Sequence, residues 1–301
     1  MRSEEKPSAL SWKNIRDENW TSQFISSHSR QKIYLKKIQS KDSTDSGVTV
    51  FLFHDITSYH GRFHHLTSWF QNNYPSVSFV MMDFAGHGLS TGTRGHFEDF
   101  NHLVEDMSFV LKNMSKGHND RWIVLGHGMG AMGLLDLINR FDESLKHKVD
   151  QLILSNFILN FTSPLFLFEK KIAEKFLINS FLINQSRPLS IYHAHEMLSS
   201  HEDQVNYLKD PLIVKAPTFQ SLKALNEKVK TLFQESYFLD KPTLLLSSQS
   251  PYLVGGGMES FSKGFKKGIL TKKNYSNFQH DLYNERDSQT LFNDIAQWIK
   301  L

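Results

Sequence analysis

Short apolar runs recur along the chain, and helically spaced apolar stretches follow most of them. TSQFISS and KIYLKKIQ read as two strands separated by HSRQ, and KDSTDSG is a turn cluster. VTVFLFH, residues 48–54, is a buried strand run, followed by a helix near HHLTSWFQNNY. VSFVMMDF, residues 77–84, is the next strand, and the Gly-rich loop GHGLSTGTRGH leads to a helix over DFNHLVEDMSFVLKNMS. RWIVLGH, residues 121–127, enters a tight Gly-rich turn and then the helix MGAMGLLDLINRF. VDQLILSNF, residues 149–157, is one more strand, after which the alternation stops. It resumes with PTLLLSS at 242–248, a helix near MESFSKGFKK, the strand GILTKKNYSN and a C-terminal helix over RDSQTLFNDIAQWIKL.

Strands alternating with helices predict an α/β fold: a mostly parallel sheet of about eight strands, covered on both faces. The interruption, residues 158–235, is Phe- and Leu-rich and predicted helical. It is expected to form a cap at the C-terminal edge of the strands, where such folds bind ligands. The core is then residues 1–157 and 236–301, with 1–20 a polar leader.

Composition narrows the function. The 301 residues include 24 Phe, which suits a large aromatic core or an apolar pocket. A net charge of +3, with no basic stripe interleaved with aromatics, argues against nucleic acid as a partner. The sequence contains no Cys, so disulfides, thiol catalysis and thiolate metal sites are excluded. MRSEEKPSALSWKNIRDENW lacks the apolar segment of a secretory signal, and no uncharged apolar run reaches the ~18 residues of a membrane span. The expected location is cytoplasmic. The stretch Phe157–Phe181 reads as cap core, and peripheral membrane contact through the cap is the competing reading.

The most informative segment is WIVLGHGMGAMGLLDL. It follows the strand–turn–helix pattern of the nucleophile elbow, G-x-S-x-G, with Gly126 and Gly130 as the flanking small residues. The nucleophile position itself is Gly128. A dinucleotide fingerprint competes, because Gly126, Gly128 and Ala131 also fit G-x-G-x-x-A. That reading needs an acid at the end of the next strand to hold the ribose. Ser155-Asn156 stands there instead, so no cofactor is expected. His60 with His64, and His193 with His195, have metal-like spacing but no clear third ligand, so no metal is expected either.

Other segments fall in order around the elbow. His54-Asp55-Ile56-Thr57 with Gly61-Arg62-Phe63 closes one strand, and Asp83-Phe84-Ala85-Gly86-His87-Gly88-Leu89-Ser90 closes the next. Leu198-Ser199-Ser200-His201, Tyr207 and Asp210-Pro211-Leu212 lie in the insertion, and Tyr275-Ser276-Asn277-Phe278-Gln279-His280 lies near the end. Together these resemble the HGxGEHSGRY, D-x-x-GHG-x-S, NDPL and Y-x-G-x-x-H segments of the monoacylglycerol lipase and lysophospholipase family of α/β-hydrolases, the serine aminopeptidase S33 type. The resemblance runs from about residue 20 to residue 301.

Carried over position by position, the resemblance implies a degenerate triad. The nucleophilic Ser falls on Gly128 and the acid on Pro251, while the His is retained as His280. The oxyanion donors would be the backbone N–H groups of Ile56 and Met129, and Asp55 replaces the glycine beside them. A carboxylate there opposes developing negative charge. With Pro251 at the acid position, His280 is expected to lack a carboxylate partner. The expectation is a pseudoenzyme binding a lipid-like molecule under the cap, or a protein partner. The alternative is an active ester hydrolase with a rebuilt, non-serine site that uses His280.

Overall fold

A computed structural model describes residues 20–26, 31–40, 47–140, 143–157, 193–232, 240–249, 265–266 and 268–301. Its strands are β1 (Trp20–Ser26), β2 (Lys32–Ile38), β3 (Val48–Phe53), β4 (Val77–Met82), β5 (Arg121–His127), β6 (Gln151–Ser155), β7 (Thr243–Ser248) and β8 (Leu270–Tyr275). They form one eight-stranded sheet in the order β1-β2-β4-β3-β5-β6-β7-β8. The β1–β2 and β2–β4 pairs are antiparallel and the remaining pairs parallel.

Strand periodicity divides the core in two. Phe51 and Phe53 of β3, Val124 of β5, and Leu152 and Leu154 of β6 face one side. They pack with α2 (Phe100–Asn113), α3 (Met129–Asn139) and α7 (Phe219–Leu232). Val50 and Leu52 of β3, Ile123 and Leu125 of β5, and Ile153 of β6 face the other. That side is covered by α1 (His64–Asn73) and α8 (Gln289–Trp298). With both faces covered, the central strands are apolar without interruption rather than alternating.

A short helix not anticipated from the sequence, α4 (Glu143–Lys148), precedes β6 and buries Leu145. Within the expected cap, residues 158–192 and 233–235 lie outside the described residues, as does most of the helix expected near MESFSKGFKK. The described part of the insertion holds α5 (Ala194–Met197), α6 (His201–Lys209) and α7. Leu222, Ala224, Leu225, Val229 and Leu232 place α7 in the same hydrophobic cluster as α2 and α3.

The parallel strands end on one edge. His54-Asp55 follows β3, Gly128 follows β5, Asn156 follows β6, and the loop carrying His280 follows β8. Residues far apart in sequence therefore converge at a single place.

Candidate functional site

The β5-to-α3 turn sets the centre of the site. Gly128 lies between strand and helix with φ 53° and ψ −115°. A positive φ of this kind is costly for most residues that carry a Cβ. Glycine accepts it without that penalty. Two residues on, a Cβ at Gly130 would fall 2.3 Å from the Phe53 carbonyl oxygen, so the close passage of α3 over β3 requires glycine there.

Asp55 fills the space beside Gly128. A Cβ built on Gly128 would lie 2.0 Å from Asp55 Oδ1 and 2.3 Å from Cγ. Oδ1 accepts from the Met129 backbone N–H at 2.7 Å. Oδ2 faces His280 Nε2 at 3.2 Å. Asp55 and His280 are both completely buried. Because a carboxylate only accepts, Nε2 carries the proton in this pair. Burial raises the Asp55 pKa. The hydrogen bond and charge of His280, the charge of His127 and the Met129 N–H outweigh burial and hold the carboxyl below its ordinary range.

His280 therefore has a carboxylate partner, contrary to the expectation drawn from the sequence. The partner comes from the end of β3 rather than from position 251, and Pro251 itself lies outside the described residues. It also approaches Nε2. In a Ser-His-Asp triad the acid holds Nδ1, and Nε2 is left to take the proton of the nucleophile. Asp55 occupies the nucleophile's side of the ring.

Several elements hold the His280 loop. The N–H groups of His280 and Asp281 donate to the carbonyls of Glu196 and Met197 on α5, both at 3.0 Å. Asn156 Nδ2 donates to the His280 carbonyl at 2.8 Å and to Ser248 Oγ at 2.6 Å, while Asn156 Oδ1 accepts from the Ser248 N–H at 2.9 Å. Asn156 has φ 42°, a conformation that Asn tolerates better than most residues. Asp281 forms a buried ion pair with Arg62, with Nε at 2.9 Å and Nη2 at 2.5 Å from Oδ2.

A second layer of histidines surrounds the pair. The His127 ring lies 4.9 Å from that of His280, and its Nδ1 is 3.0 Å from Ser155 Oγ. Tyr283 Oη donates to the same Ser155 oxygen at 2.7 Å. Burial, reinforced by the neighbouring His280 charge, pushes His127 down to about 4. His54 Nε2 accepts from the Phe84 N–H at 3.0 Å, so its Nδ1 donates to the Asp55 carbonyl, 2.7 Å away. Burial is the largest cause pushing His54 down to about 3.

Of the expected oxyanion donors, Met129 N–H is aimed at the site and already holds Asp55. Ile56 is buried, and its carbonyl oxygen lies 2.8 Å from His87 Nε2. Of the histidines with metal-like spacing, His60 is bound through Nδ1 to Asp83, His64 Nδ1 lies 3.3 Å from Ser68 Oγ, and the His193 and His195 rings stack at 5.5 Å. Among the described residues, no group of three or more His, Cys, Asp or Glu side chains is arranged to hold a metal ion. Sequence reasoning overlooked the anchoring role of Asn156. The one signal was an amide side chain directly at the end of a buried strand.

Residues 45–287 match the family model described as serine aminopeptidase, S33. The chain belongs to this family. Among curated relatives of the S33 chain, it is 23% identical over 265 residues to a monoacylglycerol lipase of Mycolicibacterium smegmatis, covering 85% of this chain and 89% of the relative. It is 21% identical over 260 residues to the phospholipase YtpA of Bacillus subtilis, covering 81% and 91%. Among solved structures, a soluble variant of Saccharomyces cerevisiae monoglyceride lipase aligns with a TM-score of 0.77 at 18% identity, covering 95% of this chain and 97% of that one. The monoacylglycerol lipase of Paleococcus ferrophilus aligns with a TM-score of 0.67 at 16% identity, covering 89% and 98%. At these identities the structural matches establish the α/β-hydrolase fold, and the S33 assignment rests on the family model.

Proposed function

We propose that this S33-family chain does not perform serine-type ester hydrolysis and instead binds an acyl or lipid-like ligand at the C-terminal edge of its sheet. The observation carrying this reading is the buried Asp55 carboxylate. It takes the volume of a nucleophile side chain at position 128, uses the Met129 N–H that would stabilise an oxyanion, and accepts the proton of His280 Nε2. An ester carbonyl there meets no hydroxyl from position 128, and the Met129 N–H is already taken by Asp55. The ligand class rests on the relatives' names, monoacylglycerol lipase and phospholipase, and on the Phe-rich insertion over 158–235. The cap role of that insertion and a cytoplasmic location belong to the same proposal. No helix among the described residues is long and apolar enough to cross a membrane.

The rebuilt-site alternative uses His280 as a base toward water. A general base must accept a proton, and the nitrogen facing the site is already donating to Asp55. The test is hydrolysis of short-chain p-nitrophenyl esters together with labelling by a fluorophosphonate. The expected result is neither turnover nor labelling at the elbow. Turnover that disappears in His280→Ala would replace this reading with the alternative. Lipid co-purifying with the protein, detected by native mass spectrometry, is the expected signature of binding.

A further inference from the structure

The oxyanion position of this chain is filled rather than lost. One expected donor, the Met129 N–H, is present and, together with His280 Nε2, is directed at a single anionic group. That group is the chain's own: Asp55 Oδ1 lies on the Met129 N–H at 2.7 Å and Oδ2 on His280 Nε2 at 3.2 Å, with both side chains fully buried. The two contacts use both oxygens of one planar carboxylate. Met129 is the first residue of α3, an 11-residue helix, so the partial positive charge of the helix N-terminus adds to the donor. The imidazole supplies the donor to the other oxygen. Around the pair, the backbone is held independently of Asp55, by Asn156 on the His280 carbonyl and by the Glu196 and Met197 carbonyls on the His280 and Asp281 N–H groups.

We infer that Met129 N–H and His280 Nε2 form a carboxylate-binding site for which Asp55 is the built-in ligand. This deepens the reading above and rests on it only in treating the site as anion-filled. Removing the Asp55 side chain leaves the donors in place with a space of known size. Asp55→Gly deletes a methylene and a carboxylate, the heavy atoms of acetate. Asp55→Ala keeps Cβ and deletes only the carboxylate, leaving room for formate and bringing the methyl of acetate against the new side chain. The paired variants thus make a size test that ionic strength cannot imitate.

The experiment is thermal denaturation of wild type, Asp55→Gly and Asp55→Ala in sodium acetate, sodium formate and sodium chloride at matched ionic strength and pH. In Asp55→Gly, acetate at about ten times its dissociation constant is expected to raise Tm by about 2–3 °C over chloride. In Asp55→Ala, formate is expected to do so and acetate to do markedly less. Wild type is expected to respond to neither, because its own carboxylate is already bound. Combining Asp55→Gly with His280→Gln is expected to remove most of the acetate shift. A folded Asp55→Gly that responds no more to acetate than to chloride would overturn the inference, as would equal shifts in wild type. If Asp55→Gly fails to fold, the formate preference of Asp55→Ala decides the matter. None of these outcomes depends on whether the wild-type protein hydrolyses esters.

Discussion

Asp55 and Gly128 share one space: a Cβ at Gly128 would stand 2.0 Å from Asp55 Oδ1, well inside contact distance. The two positions are not independent. The carboxylate fits because position 128 has no side chain, and position 128 keeps its φ of 53° at little cost for the same reason.

The pair should therefore mutate non-additively. Gly128→Ser alone combines backbone strain with overpacking, each worth about 1–3 kcal/mol. It is expected to lower stability substantially in urea denaturation. Asp55→Gly in the same chain is expected to recover a large part of that loss by vacating the space. Ester hydrolysis is expected in neither variant and only once Pro251→Asp is added, because triad members act as a unit. Additive stability effects would mean that the Asp55 side chain rotates away freely.

Asp55 and His280 should be coupled. Asp55→Asn keeps the shape and removes the charge that accepts from Nε2, at an expected cost of about 2–4 kcal/mol. With His280→Gln as the second arm, a double-mutant cycle is expected to give an interaction of about 1–3 kcal/mol. A coupling near zero would show that the 3.2 Å contact contributes nothing to stability.

Acid should weaken the fold before the carboxylates titrate. His54 and His127 are depressed to about 3 and about 4, from an ordinary value near 6.5. Between those values and 6.5 the unfolded chain binds protons that the folded chain refuses, so stability falls as pH falls through this window. Each histidine is expected to contribute a loss on the order of 2 kcal/mol by pH 4–5. Asp55 and Asp83, both depressed, add their loss only at lower pH. Tm measured from pH 7 to pH 4 should decline throughout, and His127→Gln should flatten the decline. A Tm independent of pH over that range would contradict the buried neutral state of these rings.

Asn156 should be irreplaceable by Ala. The substitution removes three hydrogen bonds that tie β6 to Ser248 and the His280 loop, and it places a Cβ residue without a compensating polar group at φ 42°. The expected loss is about 2–4 kcal/mol. Asn156→Gly should lose the same bonds without the strain and be less damaging. Equal costs would assign the whole effect to the bonds.

Much of this molecule is legible from its pattern of apolar residues. All eight strands fall on the expected runs; for the central strands the reason is that a strand buried on both faces must be apolar along its length, a local property, whereas the edge strands β1 and β8 are partly exposed. The turn at Gly128 is legible as well, since Gly126-His127-Gly128-Met129-Gly130 between an apolar run and an amphipathic helix has few conformations open to it. The sequence also places Asp55 beside the oxyanion donors, through the spacing of the segment it belongs to. The direction of its carboxylate is a different matter. Asp55 and His280 are 225 positions apart, and only the ordering of strands β3, β5 and β8 along one sheet edge brings them to 3.2 Å. The same holds for α7, whose apolar face is evident in the sequence but whose packing on α2 and α3 is set by the sheet beneath. Periodicity reports which side of an element is buried. Which nitrogen of His280 receives a carboxylate, and from which strand, depends on packing between elements, and that was decided by the tertiary structure alone.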